Sequence, residues 1–151
     1  MAKFSAEQAA DVLAIKQVIY EWADELDVND GLKIGEASVL AQDVRYFVGG
    51  EWREGVDAVA AFYSSRKERL EAAGGAPVMR HQIMGVRVSF ESADMARTGY
   101  QLLFFAKVGS PPIAGYCDPL ATADVRMEIK READGHWRIS MFDSGQIFQR
   151  G

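Results

Sequence analysis

Long strand-like segments fill the second half of the chain, and they constrain the possible folds more than any other feature. Their residues are largely apolar or β-branched, and they run from about Met79 to Ser89, Met95 to Val108, Thr122 to Arg131 and Trp137 to Phe148. The Asp134-Gly135 pair between the last two segments is typical of a tight turn. Successive strands joined by short connections predict an antiparallel sheet.

The first half has the period of helices. Val12, Ile15, Ile19, Trp22 and Leu26 recur at spacings of three and four, which predicts a helix from about Ser5 to Leu26, with Ser5 as its N-cap. Further helices are predicted over about Leu32 to Leu40 and Val56 to Ala73. Between them lies a hairpin made of Val44–Val48, the Gly49-Gly50 turn and Glu51–Arg53.

Helices gathered before an antiparallel sheet indicate an α+β fold and not a doubly wound parallel sheet. The 151 residues suit a single domain spanning 1–151, since domains commonly contain about 100–150 residues. A domain of this size has room for one enclosed pocket beside its core.

The charge balance and the cysteine content argue against several classes of protein. Lys and Arg number 17 against 22 Asp and Glu, a net charge of −5, whereas a nucleic-acid partner requires clustered basic residues. No apolar stretch approaches the roughly 18 residues of a membrane span, and the N-terminus lacks the apolar region of a secretory signal. Cys117 is the single cysteine, so neither an internal disulfide nor a cysteine-based zinc site is expected. We therefore expect a cytoplasmic protein.

Two histidines are the first candidates for catalysis. His136 adjoins the Asp134-Gly135 turn and is interpreted as a solvated turn residue. His81 lies near the start of a largely apolar strand. A histidine there is either a hydrogen-bonded core residue or a general base.

Asp27 lies at the last turn of the first predicted helix, where a carboxylate faces the negative end of the helix dipole. One interpretation is a turn residue that bonds its own backbone, and Asp30 fits that interpretation well. Asp27, however, continues the apolar face that reaches Leu26, and a carboxylate on the inward edge of a helix needs a buried partner. A histidine is one such partner, and the carboxylate would orient its imidazole as a base.

Other polar and aromatic residues have simpler interpretations. Tyr20, Trp22 and Trp52 are most simply core aromatics, and Arg66 with its charged neighbours is most simply a solvated helix face. The Gly49-Gly50 pair lacks the context of a phosphate loop, and no HExxH or GxSxG motif is present. We therefore predict no nucleotide cofactor and no metal.

Three passages carry a resemblance to a known family: the helix exit Tyr20–Gly31, the hairpin from Asp43 through Trp52 to Gly55, and Arg80–Val88 with Ala96, Tyr100 and Leu102 after it. The last hairpin, Asp134–Ile139, fits as well. In their order and spacing they resemble the SnoaL-like branch of the nuclear-transport-factor-2-like superfamily, across nearly the whole chain.

The resemblance implies a cone-shaped α+β barrel, in which N-terminal helices pack in a strongly bent antiparallel sheet around one deep apolar pocket. Closest in character are scytalone dehydratase and hexachlorocyclohexane dehydrochlorinase, which use an Asp–His dyad as a general base and no cofactor. By position, the aspartate falls on Asp27 and the histidine on His81.

The same resemblance implies residues that contact the substrate. By similarity, pocket-lining positions fall on Tyr46, Val48, Leu102 and Phe104. In the mechanism that we expect, Tyr20, Tyr46 or Tyr100 would hydrogen-bond a substrate oxygen. Asp143 is assigned to the pocket near a position where the dehydrochlorinase has a basic residue. Because this chain has an acidic residue where the dehydrochlorinase has a basic one, we do not expect it to release chloride.

The function that follows is a lyase that needs no cofactor and acts on a small hydrophobic substrate, an aromatic or polycyclic alcohol. It would remove water, or break a related C–O or C–C bond with release of formaldehyde. One alternative is an isomerase of the ketosteroid isomerase type, with Asp27 or Asp143 as base and a tyrosine as oxyanion donor. The other is a non-catalytic small subunit or binding module, since fold alone does not fix function.

An oligomer is predicted from the last two strands. Met127, Ile129, Ile139 and Met141 alternate with polar residues, which predicts one apolar face on the back of the sheet. In relatives such a face packs between subunits. We therefore expect a homo-oligomer, with a trimer ahead of a dimer by analogy.

Overall fold

The computed structural model describes residues 4–151, which form two helices and one six-stranded sheet. In chain order its elements are α1 (Ala6–Asn29), β1 (Leu40–Val48), β2 (Glu51–Glu54), α2 (Val56–Ala72), β3 (Val78–Ser92), β4 (Met95–Lys107), β5 (Ala121–Arg131) and β6 (Trp137–Gln149). The strands lie in the order β2-β1-β6-β5-β4-β3. Neighbours are antiparallel except β1 and β6, which are parallel.

The predicted α+β class is confirmed, but two details of the sheet are wrong. The sheet is mixed and not wholly antiparallel, because the first strand pairs in parallel with the last. It is also not a closed barrel, since β2 and β3 form its two edges. Turn signals predict the pairing only of strands that follow one another in the chain, whereas the partners β1 and β6 are far apart in sequence.

Helix α1 begins and packs as predicted. Ser5 Oγ accepts from the Gln8 backbone N–H while the Gln8 side chain accepts from the Ser5 N–H, which forms a capping box. The residues Ile15, Ile19, Trp22 and Leu26 are buried against the sheet. The helix continues to Asn29, so it carries Asp27 on its last turn.

The predicted short helix over Leu32–Leu40 does not form. Residues 30–38 are turns, and strand β1 already begins at Leu40. Gly31 and Ser38 have φ values of 77° and 57°, which a right-handed helix does not accommodate. The Glu25 side chain instead accepts from the Lys33 backbone N–H at 2.6 Å and holds this segment to α1.

Bulges curve the sheet over α1. In β3 the pairing with β4 shifts between Met84 and Arg87, around Gly85, whose φ is 64°. A second shift separates Glu128 from Ile129 in the pairing of β5 with β6. An extra residue in one strand bends it and increases its twist. The concave side therefore has depth enough for both the core and a cavity.

The predicted apolar back face is wrong. Met127, Ile129 and Ile139 point to the concave side and are buried in the core. The bulge in β6 turns Met141 to the opposite face, where it lies beside Arg45 and Arg126. These methionines and isoleucines therefore give no support to an oligomer, which stays a prediction. Neither helix of the described chain has the length and apolar character to cross a membrane.

Candidate active site

A cavity of about 520 Å³ lies between the concave face of the sheet and the two helices. Most of its lining is apolar, and the polar groups converge on it from both helices and from strands β3 and β6. Its lining residues are Trp22, Leu26, Phe47, Val48, Gly49, Gly50, Tyr63, Arg66, His81, Leu102, Phe104, Ala121, Ala123, Phe142, Ser144 and Gln146. A largely apolar cavity with a few convergent polar groups is typical of a small-molecule site.

Asp27 and His81 meet at the wall of this cavity. Asp27 Oδ1 lies 2.6 Å from His81 Nδ1, and Asp27 Oδ2 accepts from the His81 backbone N–H at 2.9 Å. The backbone N–H is available because β3 is an edge strand, and residues 4–151 supply no further strand on that side. The carboxylate therefore fixes both the main chain and the ring of the same residue.

The contact with Asp27 decides the protonation of the neutral imidazole. A carboxylate is an acceptor, so we assign the ring proton to Nδ1. Nε2 then carries the free lone pair. Both side chains are largely buried, with 9% of His81 and 11% of Asp27 exposed. The Phe104 ring lies 4.7 Å from the imidazole, centroid to centroid, and the Trp22 ring lies 5.9 Å away.

A chain of hydrogen bonds runs from α1 to α2 behind the cavity. The Trp22 indole N–H donates to the Tyr46 hydroxyl at 2.8 Å, and the hydroxyls of Tyr46 and Tyr63 lie 2.7 Å apart. An indole nitrogen only donates, so the Tyr46 oxygen is already an acceptor. Its own proton can then go to Tyr63, which leaves the Tyr63 proton free for a group in the cavity.

Burial keeps these phenols protonated. Desolvation raises the pKa of Tyr63 to about 12 and that of Tyr46 well above its usual range. The pKa of Tyr100 is also raised well above its usual range by burial. The Tyr100 hydroxyl has no hydrogen-bond partner among residues 4–151. At neutral pH these tyrosines are hydrogen-bond donors and not bases.

The structure places the predicted site residues in different parts of the molecule. Val48, Leu102 and Phe104 line the cavity together with His81. Tyr46 and Tyr100 are buried behind the lining, so neither reaches the cavity directly. Asp27 lies behind His81, and its oxygens contact the ring and the backbone N–H of that residue.

Two of the predicted pocket residues lie elsewhere. Tyr20 is 47% exposed, because it follows Ile19 on the helix and points away from the buried face. Asp143 lies on the convex side of the sheet, where it pairs with Arg126 of the neighbouring strand at 2.5 Å. Both are predicted to contact the substrate, but a shift of one residue along a helix or strand moves a side chain to another face.

Sequence reasoning missed Tyr63 and Arg66 as cavity residues. With Val59 they form a stripe at spacings of four and three on α2, which is the signal of one helix face. The charge of Arg66 and its charged neighbours favoured a solvated face. Ser144 and Gln146, also at the cavity, alternate on β6, but nothing in the sequence distinguishes that face from the other.

No cluster of three or more His, Cys, Asp or Glu side chains occurs within residues 4–151, so this part of the chain offers no evident metal site.

The helices, the curved six-stranded sheet and the cavity define an NTF2-like domain with the α+β cone fold. A structure described as an NTF2-like protein with a cystatin-like fold, from Novosphingobium aromaticivorans, matches with a TM-score of 0.73 and 21% identity over 93% of this chain and 84% of that one. Residues 7–143 match the model of the SnoaL-like domain. The chain belongs to the SnoaL-like family.

Two other similar structures have names that specify a reaction. A candidate scytalone dehydratase from N. aromaticivorans matches with a TM-score of 0.76 and 12% identity over 97% of this chain and 91% of that one. A type 2 hexachlorocyclohexane dehydrochlorinase matches with a TM-score of 0.74 and 14% identity over 95% and 90%. At such identities the likeness establishes the fold alone. No curated protein matches the sequence significantly.

Proposed function

We propose that the chain is a lyase that uses no cofactor, with His81 as its general base and Asp27 as the group that orients the base. The observation that carries the proposal is the 2.6 Å contact between Asp27 Oδ1 and His81 Nδ1 at the wall of an apolar cavity. This contact leaves Nε2 as the ring nitrogen that is free to take a proton. An imidazole is suited to this task because its ordinary pKa, about 6.5, is close to neutral pH.

In the proposed elimination, His81 Nε2 takes a proton from a substrate carbon. The electron pair left behind forms a carbon–carbon double bond while the neighbouring C–O bond breaks. The imidazolium returns its proton to the departing hydroxide, so water leaves and the base is restored. Asp27 stabilises the imidazolium while it exists.

A carbon–carbon cleavage would use the same base. His81 would take the proton of a substrate hydroxyl, and that oxygen would become the carbonyl oxygen of formaldehyde as the C–C bond breaks. The electron pair then remains on the other fragment, which receives the proton back from the imidazolium. This second form of the proposal suits a diaryl propanediol in a cavity with aromatic walls.

The substrate of the proposal is a hydrophobic aromatic alcohol. Trp22, Phe47, Phe104 and Phe142 supply flat apolar surface to the cavity. Tyr63 would donate its hydroxyl proton to a substrate oxygen, because the Tyr46 hydroxyl can donate to the Tyr63 oxygen. A donor placed where negative charge develops stabilises the transition state.

An isomerase is the second candidate, and the Tyr46–Tyr63 pair is the observation that favours it. Such an enzyme needs a base and a phenolic donor to an enolate oxygen. A carboxylate base is less well supported, because both Asp27 oxygens are bonded to His81 and Asp143 lies on the convex face. The two candidates differ in their products.

Product analysis with matched variants tests the proposal. Hydroxylated aromatic alcohols and diaryl propanediols are incubated with the protein, and mass spectrometry detects loss of water or formaldehyde. His81→Ala should lower the rate by roughly 10²–10⁴-fold. His136→Ala, which changes the other histidine, should leave the rate unchanged.

Three results would contradict the proposal. Full activity of His81→Ala would exclude His81 as the base. A product of unchanged mass would favour the isomerase. If no compound were turned over and both variants differed only in stability, the chain would be a binding module.

A further inference from the structure

Arg66 is a cavity residue that the dyad does not use. It follows Tyr63 by one turn of α2, and its guanidinium carbon lies 4.8 Å from the centroid of the Tyr63 ring. Its Nη2 donates towards Met79 Sδ at 3.7 Å. These contacts hold the partly buried guanidinium at the cavity lining.

Arg66 has no carboxylate partner among residues 4–151, whereas its neighbours on the helix are occupied. Lys67 pairs with Asp30, and Arg69 donates to Ser65. A guanidinium has five N–H donors, and a thioether is a weak acceptor. Because a partly desolvated charge without a counter-ion is unfavourable, an anion in the cavity would stabilise this arrangement.

The charge of the cavity lining also favours an anion. Among the described residues the lining contains no Asp and no Glu, and Arg66 is its one permanently charged side chain. Asp27 lies behind His81, and its oxygens are bonded to the ring and the backbone of that residue. A single cation among apolar walls attracts anions more strongly than the same cation in water.

We infer that the substrate carries a carboxylate, and that Arg66 is the specificity-determining residue that binds it. The inference rests on the proposed function of the cavity as a substrate site. The planar fork of a guanidinium matches a carboxylate with two parallel hydrogen bonds. An aromatic acid with a hydroxylated side chain would then place its ring against the aromatic part of the cavity lining.

The contact of Arg66 with Met79 indicates roughly how far a bound carboxylate would lie from His81. Met79 lies two residues from His81, on the same face of β3. Two residues of a strand span roughly 7 Å. A benzene ring with a carboxylate at one end and a hydroxylated carbon at the other is of this order of length.

Binding of a matched pair of probes tests the inference without any turnover. Isothermal titration calorimetry measures the Kd of 2-naphthoate and of 2-naphthamide, which share their rings and differ in charge. The wild type should bind the acid more tightly by roughly 10- to 100-fold, the range of a charge-assisted hydrogen bond. Arg66→Gln should abolish this preference while its affinity for the amide changes little.

Two further variants separate recognition from folding. Arg66→Lys keeps the charge and should retain part of the preference for the acid. Arg69→Gln changes an exposed arginine on the same helix and should retain all of it. Circular dichroism compares the fold of each variant with that of the wild type.

Three results would overturn the inference. The wild type could bind the acid no more tightly than the amide, the wild type could bind neither probe, or the Arg66→Gln variant could keep the preference for the acid. His81→Ala distinguishes failure of this inference from failure of the proposed function. This variant should keep the preference for 2-naphthoate whether or not His81 is the base. The inference thus requires that the preference for the acid depends on Arg66, whereas the proposed function requires that turnover depends on His81.

Discussion

Replacing Asp27 with Asn should switch the tautomer of His81. In the wild type, Asp27 Oδ1 accepts from Nδ1 at 2.6 Å, and Oδ2 accepts from the backbone N–H at 2.9 Å. An asparagine has a single acceptor oxygen, which the backbone N–H would take, and its amide group donates. Nδ1 would then face a donor, so the proton of the neutral ring should move to Nε2.

The expected magnitudes follow from these two contacts. A hydrogen bond to a charged group contributes about 1.5–3 kcal/mol and a neutral one about 0.5–1.5 kcal/mol. Asp27→Asn replaces two charged bonds by two neutral ones, so the free energy of unfolding should fall by roughly 2–3 kcal/mol, and the fold should persist. If His81 is the base, the rate should fall by roughly 10²–10⁴-fold, because Nε2 has lost its lone pair.

Nitrogen NMR measures the tautomer without a substrate. The chain has 2 histidines, so protein labelled with ¹⁵N at the imidazole nitrogens gives two ring spin systems. His136 is exposed and serves as an internal control, and His136→Gln assigns its signals. The spectra are recorded at a pH of about 8, above the ordinary imidazole pKa of about 6.5.

The reasoning would be refuted by either of two spectra. One is a wild-type His81 that carries its proton on Nε2. The other is an Asp27→Asn variant whose His81 signals keep the wild-type tautomer. Either result would mean that Asp27 does not determine the protonation of the ring.

Three further predictions concern the tyrosines and glycines around the cavity. Burial raises the pKa of Tyr63 from 10.0 to about 12. As the pH rises, the unfolded chain therefore loses this proton before the folded chain does. Stability is then intact below pH 10.0 and falls by about 1.4 kcal/mol per pH unit towards the folded pKa. Tyr63→Phe should make the decline less steep in denaturant titrations between about pH 10 and 12. Gly31→Ala should lower the melting temperature more than Gly50→Ala does. Both glycines have positive φ, but an added Cβ at Gly31 would lie 2.6 Å from Tyr63 Cγ, whereas at Gly50 nothing lies within 4 Å. Equal shifts would contradict the steric explanation. Tyr46→Phe should lower the unfolding free energy by about 1–3 kcal/mol, because the indole N–H loses its acceptor. Tyr100→Phe, whose hydroxyl has no described partner, should be neutral or stabilising, and a larger loss for Tyr100→Phe would contradict this explanation.

Much of the fold could be predicted because the spacing of hydrophobic residues along the sequence indicates local structure well. The stripe through Ile15, Ile19 and Trp22 is confirmed as the buried face of α1. The placement of Asp27 near His81 came from an inward-facing carboxylate together with the family resemblance. Their contact joins residues 54 positions apart, so local pattern alone could not have established it.

The failures have one physical cause, which is that side-chain direction depends on features with no local signal. The bulge in β6 moves Met141 to the convex face while Ile139 stays in the core. The parallel pairing of β1 with β6 is a long-range contact. Arg66 was interpreted as solvated because its charge outweighed its position on the buried stripe of α2.

The two bonds from Asp27 to His81 have a consequence for how the edge of the sheet pairs. A slip of β3 by one residue against β4 would turn His81 outwards and bring Arg80 or Gln82 to its place. A backbone N–H could still meet the carboxylate in a slipped strand, but an imidazole could not. Asp27 therefore favours one register of an otherwise unprotected edge. If His81 is the base, molecules with a misaligned edge would lack it, so errors in strand alignment would yield inactive protein and not protein of altered specificity.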